Sequence, residues 1–124
     1  MDETGWRDSA EQAQQAIERA LGATEPDVVV AELSGAGKAL DDALREAMAA
    51  SALAGTSMRR LAEIAGMAPN SVPPRLARSK SLSPYADEGN ITSQLIAVAR
   101  YDAASGRPPM TFKPRRKDRK NDQS

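Results

Sequence analysis

Apolar side chains recur along most of this chain at intervals of three and four, the period of a helix face rather than of a strand. Trp6, Ala10, Ala13, Ile17 and Leu21 share one face over residues 6–21, and Asp8, Glu11, Gln12, Gln15 and Glu18 take the others. Gly22 is expected to end this helix in a left-handed cap. A second helix is predicted from about 25 to 54, with Thr24 as its N-cap. Glu25, Pro26 and Asp27 make its first turn, where proline loses no bond and acids meet the positive end of the helix dipole. Its stripe is Val29/Val30, Leu33, Ala36/Gly37, Leu40, Leu44, Ala47/Met48 and Ser51. Ser34–Gly37 is a place for a kink, because each glycine costs about 1 kcal/mol relative to alanine. Two separate helices, or a short strand at Val28–Val30, are the alternatives.

Gly55 ends that segment, and Thr56 or Ser57 caps a helix predicted over 57–65. Gly66-Met67-Ala68 is a turn. A second short helix follows within 69–79, and 80–90 is loop-like, with Glu88-Gly89-Asn90 suited to a tight turn. Thr92 caps a helix over about 93–105, in which Leu95, Ile96, Val98, Ala99 and Asp102 fall at helical spacing. Gly106-Arg107-Pro108-Pro109 breaks it. Met110-Thr111-Phe112 is expected as a short extended piece that packs back, and the polar, Lys/Arg-rich stretch from Lys113 onward as a mobile tail.

The pair 57–65 and 69–79 reads as a helix-turn-helix. Ala62 offers the small side chain needed where two helices cross. Leu61, Ala65 and Met67 supply apolar contacts, and Val72 and Leu76 pack the second helix back on the first. Gly66 stands where the backbone must leave the first helix left-handed. Pro73-Pro74 conflicts with a helix interior, where one proline costs about 3 kcal/mol. The conflict disappears if Asn70 or Ser71 is the N-cap, because both prolines then lie in the first turn, whose donors have no intrahelical partner. The second helix is therefore predicted over about 71–79, after a turn longer than standard.

Composition narrows the fold. The chain of 124 residues has one Trp, one Phe and two Tyr. Its core must be built from aliphatic residues and alanine, which suits closely packed helices. The expected class is all-α: a small helical domain containing a helix-turn-helix, with a flexible basic C-terminal tail. The apolar inventory is thin, so a homodimer is expected to bury more surface. With no cysteine and no histidine, disulfides, thiolate metal sites and the usual zinc ligand and general base are excluded. No cofactor, metal or catalytic residue is assigned. Glu63, Asp87 and Glu88 are the only acids weighed for a divalent metal, and they form no convergent motif. Ser34-Gly35-Ala36-Gly37-Lys38 suggests a phosphate loop, but Glu32 and Ala39 occupy positions that need Gly and Ser/Thr, and this reading is rejected. Met1-Asp2-Glu3-Thr4 is unlike a signal peptide, and apolar runs are too short for a membrane span, so a cytoplasmic, nucleoid-associated protein is expected.

Net charge is zero but unevenly placed. Residues 1–54 hold eleven acids against four bases, and the remainder thirteen bases against six acids. Such a split marks a nucleic-acid-facing end and a partner-facing end. Three regions follow: acidic N-terminal helices over 1–54 as dimer or protein-partner surface, the helix-turn-helix and following helix over 55–112, and the basic tail over 113–124.

Leu61-Ala62-Glu63-Ile64-Ala65-Gly66-Met67-Ala68-Pro69-Asn70-Ser71-Val72 resembles the helix-turn-helix of bacterial transcription regulators. The helix Ala39–Ala47 running into Gly55-Thr56-Ser57 is similar to small regulators of actinobacterial type. The resemblance covers residues 39–79, about a third of the chain. It implies binding of double-stranded DNA, with no enzymatic activity. Asn70, Ser71 and Arg75 would then face base edges, since Arg pairs with guanine and Asn with adenine. Arg78 and Lys80 would hold phosphate, as would Ser57, Arg59 and Arg60 at the start of the first motif helix. Lys113, Arg115, Arg116, Lys117, Arg119 and Lys120 would add salt-sensitive attraction. Asn70 and Ser71 also serve as ordinary caps. The competing reading is a protein-interaction module, an adaptor or antitoxin-like scaffold whose prolines have disabled DNA reading.

Overall fold

A computed structural model describes residues 4–106. They form five α-helices and no strand: α1 (Thr4–Gly22), α2 (Pro26–Leu53), α3 (Met58–Ala65), α4 (Val72–Ala77) and α5 (Ser93–Ser105). Single 3-10 turns at Pro69–Ser71 and Ser83–Tyr85 complete them. The Met110–Phe112 segment and the basic tail lie outside the described residues. The chain divides into two units, Met1–Ala50 and Ser51–Ser124.

In the first unit, α1 and α2 are joined by Ala23–Glu25 and tied side by side by Arg19 Nε donating to Glu32 Oε1 at 2.9 Å. The side chains removed from water are mostly alanines: Ala13, Ala16 and Ala20 on α1 and Ala36, Ala43 and Ala49 on α2, with Glu46 and Met48 beside them. The face expected from periodicity is buried only in part, at Ala13, Ala36 and Met48. Ile17 and Leu21, placed in the core by sequence, are exposed, and so are Val30, Leu33, Leu40 and Leu44. Gly22 is the last residue of α1 and has no left-handed cap conformation. Thr24 is not the cap of α2 either. The Glu25 carbonyl accepts from the amides of Val28 and Val29, so Glu25 takes that position and Pro26 opens the helix. α2 runs unbroken through Ser34–Lys38, so the alternatives of two helices or a Val28–Val30 strand do not hold.

The second unit begins with the last residues of α2. That helix closes through Thr56 N to Ser51 O and Gly55 N to Ala52 O, both 3.0 Å, with Gly55 at φ 115°. The core is aliphatic: Leu61, Val72, Leu76, Leu82, Ile91 and Ile96, with Ala62, Ala77 and Ala99 between them. α4 packs on α3, and the Ser83–Tyr85 turn packs on both α4 and α5. Residues 80–90 are thus more ordered than a loop reading implies, since Leu82 and Tyr85 are buried. Asp87 and Asn90 exchange backbone hydrogen bonds across a turn with Glu88 at φ 55° and Gly89 at φ 79°. Two successive left-handed residues are the requirement of a type I′ turn.

Two buried polar groups tie the unit together. Ser79 donates from Oγ to the Leu76 carbonyl at 2.7 Å and accepts from the Leu82 amide at 3.1 Å. The Tyr85 hydroxyl donates to Asp102 Oδ2 at 2.7 Å, linking the short turn to α5. Both partners are buried, where an unmade hydrogen bond costs about 1–3 kcal/mol. Tyr85→Phe and Ser79→Ala are each expected to lower unfolding free energy by that amount, ~1–3 kcal/mol. Urea titration should show a lower midpoint with an unchanged slope.

Candidate nucleic-acid interface

The segment from Ser57 to Lys80 is built from local rules. Ser57 has extended backbone and its Oγ accepts from the Arg60 amide at 3.1 Å, which makes it the N-cap of α3. Thr56 is not the cap; its Oγ1 accepts from Ser51 Oγ at 2.8 Å. α3 turns Leu61 and Ala62 inward and leaves Arg59, Arg60, Glu63 and Ile64 exposed. It stops at Gly66, whose φ of 70° is left-handed. There Met67 N donates to Ala62 O at 3.0 Å and Gly66 N to Glu63 O at 3.3 Å, which satisfies carbonyls left open at the helix end.

The chain then passes through the Pro69–Ser71 turn into α4. Pro73 and Pro74 lie in the first turn of α4, as the missing amides require. Two details differ from the sequence expectation. Ser71 precedes the helix but makes no side-chain capping bond, because its backbone is already helical at φ −82°, ψ −16°. The helix ends at Ala77, not near residue 79, where the Arg78 and Ser79 amides donate to the Arg75 and Leu76 carbonyls three residues back and tighten the last turn.

Val72 and Leu76 are fully buried. Ser71, Arg75 and Arg78, spaced at four and three, fall on the other side of the helix. Ser71 and Arg78 are exposed, while Arg75 is half-buried and engaged in an interaction of its own. Lys80 is exposed and likewise engaged. Asn70 is exposed in the turn before α4. Arg60 donates to Glu63 Oε1 at 3.0 Å in a solvent-exposed pair, an arrangement worth little to stability and readily exchanged for another anion. Lys113, Arg115, Arg116, Lys117, Arg119 and Lys120 lie outside the described residues.

Sequence reasoning missed Arg100. It stands over Gly55, and its Nε donates to the Leu53 carbonyl at 3.3 Å. With Thr56, Ser57, Met58 and Ser93 it lines an open hollow of about 200 Å³ beside the start of α3. Helical period places Arg100 on the outer side of α5, and nothing local signals that it reaches the end of another helix. Among the described residues no group of three acids gathers to hold a metal, so Glu63, Asp87 and Glu88 are not brought together. No described helix is long and apolar enough to cross a membrane.

Compared with known protein families, with curated proteins and with solved structures, the chain matches none.

The caps generate a stability prediction. Ser57→Ala should cost about 1 kcal/mol and Ser57→Gly only a few tenths. A Cβ at Gly66 meets nothing within 4 Å, so Gly66→Ala carries only the conformational cost, about 1–2 kcal/mol. Thermal unfolding followed by circular dichroism measures all three.

Proposed function

We propose that this protein binds double-stranded DNA, as a small non-enzymatic transcription regulator in which α3 and α4 are a helix-turn-helix. The observation that carries this reading is the two-sidedness of α4. Val72 and Leu76 anchor one side, and the opposite side offers Ser71, Arg75 and Arg78, with Asn70 at its entry. In the proposed complex Asn70, Ser71 and Arg75 face base edges. Arg78, Lys80, Arg59, Arg60 and the amides at the Ser57-capped end of α3 hold phosphates. The basic residues 113–120 supply sequence-independent attraction. A cytoplasmic, nucleoid-associated location follows from this reading, and pairing of two chains would set two such faces against two half-sites.

One observation favours the second reading, a protein-interaction scaffold bound through the acidic N-terminal helices. α4 has six residues, less than two turns, which leaves few positions for reading bases.

Fluorescence anisotropy with duplex DNA at low and moderate salt separates the readings. The full chain should bind, and Arg75→Ala/Arg78→Ala should lose about tenfold or more, as expected for removing a base contact and a phosphate contact. Replacing Lys113, Arg115, Arg116 and Lys117 by Gln should weaken binding evenly across sequences and flatten its salt dependence. Binding that depends on the tail alone, or absent altogether, overturns the assignment to α3 and α4.

A further inference from the structure

The hollow beside the start of α3 has one-sided chemistry. Buried Ala52 and Ile96 give it an apolar floor, and no acid lines it. Its one charged side chain is Arg100, and its hydroxyls belong to Thr56, Ser57 and Ser93. Arg100 is exposed and keeps its full charge. Arg19, Arg45 and Arg60 are each paired with a carboxylate, whereas Arg100 bonds a neutral group, the Leu53 carbonyl, through Nε. That bond holds the guanidinium over Gly55, with Nη2 3.4 Å from where a Cβ would stand. A guanidinium has N–H donors on all three nitrogens, so both Nη groups remain to donate. Thr56 Oγ1 accepts from Ser51 Oγ at 2.8 Å, which leaves its own proton unspent. The Ser93 hydroxyl bonds no other described residue. Ser57 Oγ is already engaged by the Arg60 amide.

We infer that this hollow holds a phosphate of the DNA backbone, with Arg100 supplying the charge and Thr56 and Ser93 the hydroxyl donors. The inference rests on the proposed DNA binding and adds to it a contact that α5, not the helix pair, supplies. A positive charge beside unspent donors, with no carboxylate among them, matches an oxyanion. The planar fork of the guanidinium suits two oxygens of one phosphate, and the Leu53 bond fixes the fork before any ligand arrives. The open shape favours a duplex backbone over a small free anion, because the hollow does not enclose what it binds. Its wall Thr56-Ser57-Met58 also runs directly into Arg59 and Arg60, so a strand held by those arginines passes beside it. No base edge is involved, and the contact carries no sequence preference.

Fluorescence anisotropy of the full chain with random-sequence duplex DNA across a salt series tests the contact. Arg100→Gln should weaken binding equally on unrelated duplexes and lower the salt slope by about one. Between about 50 and 200 mM salt the natural chain then loses roughly threefold more affinity than the variant. Arg7→Gln, at an exposed arginine of α1, is the control and should leave the slope unchanged. Ser93→Ala removes an exposed hydroxyl that supports no other residue, and it should weaken binding about twofold to tenfold, the worth of one hydrogen bond. Chloride and inorganic phosphate at matched ionic strength should displace the duplex equally. If Arg100 served only to hold the Leu53 carbonyl, Arg100→Gln would lower the thermal midpoint and leave the salt slope where it was. That result with a natural chain that binds DNA overturns the contact alone, as does Ser93→Ala binding at full strength. Selective displacement by inorganic phosphate assigns the hollow to a free anion and overturns the backbone contact. A natural chain that binds no duplex DNA overturns the DNA-binding reading and this contact with it.

Discussion

Pro73 and Pro74 carry no amide hydrogen, and the path of the chain from Gly66 to Tyr85 follows from where two such residues can stand. Only the first turn of a helix leaves those donors unused, so α4 begins at Val72, one residue before them. That start fixes its faces. Val72 and Leu76 are buried, Ser71 and Arg78 are exposed, and Arg75 is half-buried. It also leaves a short helix whose end needs support, which the buried Ser79 provides by bonding the Leu76 carbonyl and the Leu82 amide together.

The same economy governs the rest of the second unit. Short elements cannot bury much surface each, so they are joined at their ends by specific hydrogen bonds. The left-handed Gly66 closes α3. The Tyr85 hydroxyl reaches Asp102 in α5. None of the buried side-chain polar atoms in the described residues lacks a partner, which is the condition for placing polar groups in so small a core. Under the proposed function, this rigidity holds the outward side chains of α4 in a fixed spacing.

The first unit follows a different rule. Its buried side chains are mostly alanines, with Glu46 and Met48, and the larger aliphatic side chains Ile17, Leu21, Val30, Leu33, Leu40 and Leu44 are exposed. Periodicity assigned the inward role correctly at Ala13, Ala36 and Met48 and wrongly at Ile17, Leu21, Leu33, Leu40 and Leu44. On a helix the arc that includes Ala13, Ala16 and Ala20 adjoins the arc of Ile17 and Leu21. A hydrophobicity scale favours the larger side chains, and the structure buries mostly the smaller ones. At the candidate interface the contrast is similar. The cap at Ser57, the turn at Gly66 and the position of the prolines were legible, because each rests on backbone geometry within four residues. The half-burial of Arg75 and the reach of Arg100 to the Leu53 carbonyl were not.

Sequence by itself determined the helical class and the spans of α3 and α5. It also determined the stop at Gly66, the late start of α4 and the turn at Glu88-Gly89. Caps, glycine at positive φ and proline's missing donor act locally and need no tertiary partner. Tertiary structure alone decided which side of α1 and α2 is sealed, that Leu82 and Tyr85 leave the apparent loop for the core, and that Asp102 is buried against a phenol. These outcomes depend on contacts between residues far apart in the chain, such as Tyr85 and Asp102. The free energy of burial belongs to the pair, not to either residue's place in its own helix.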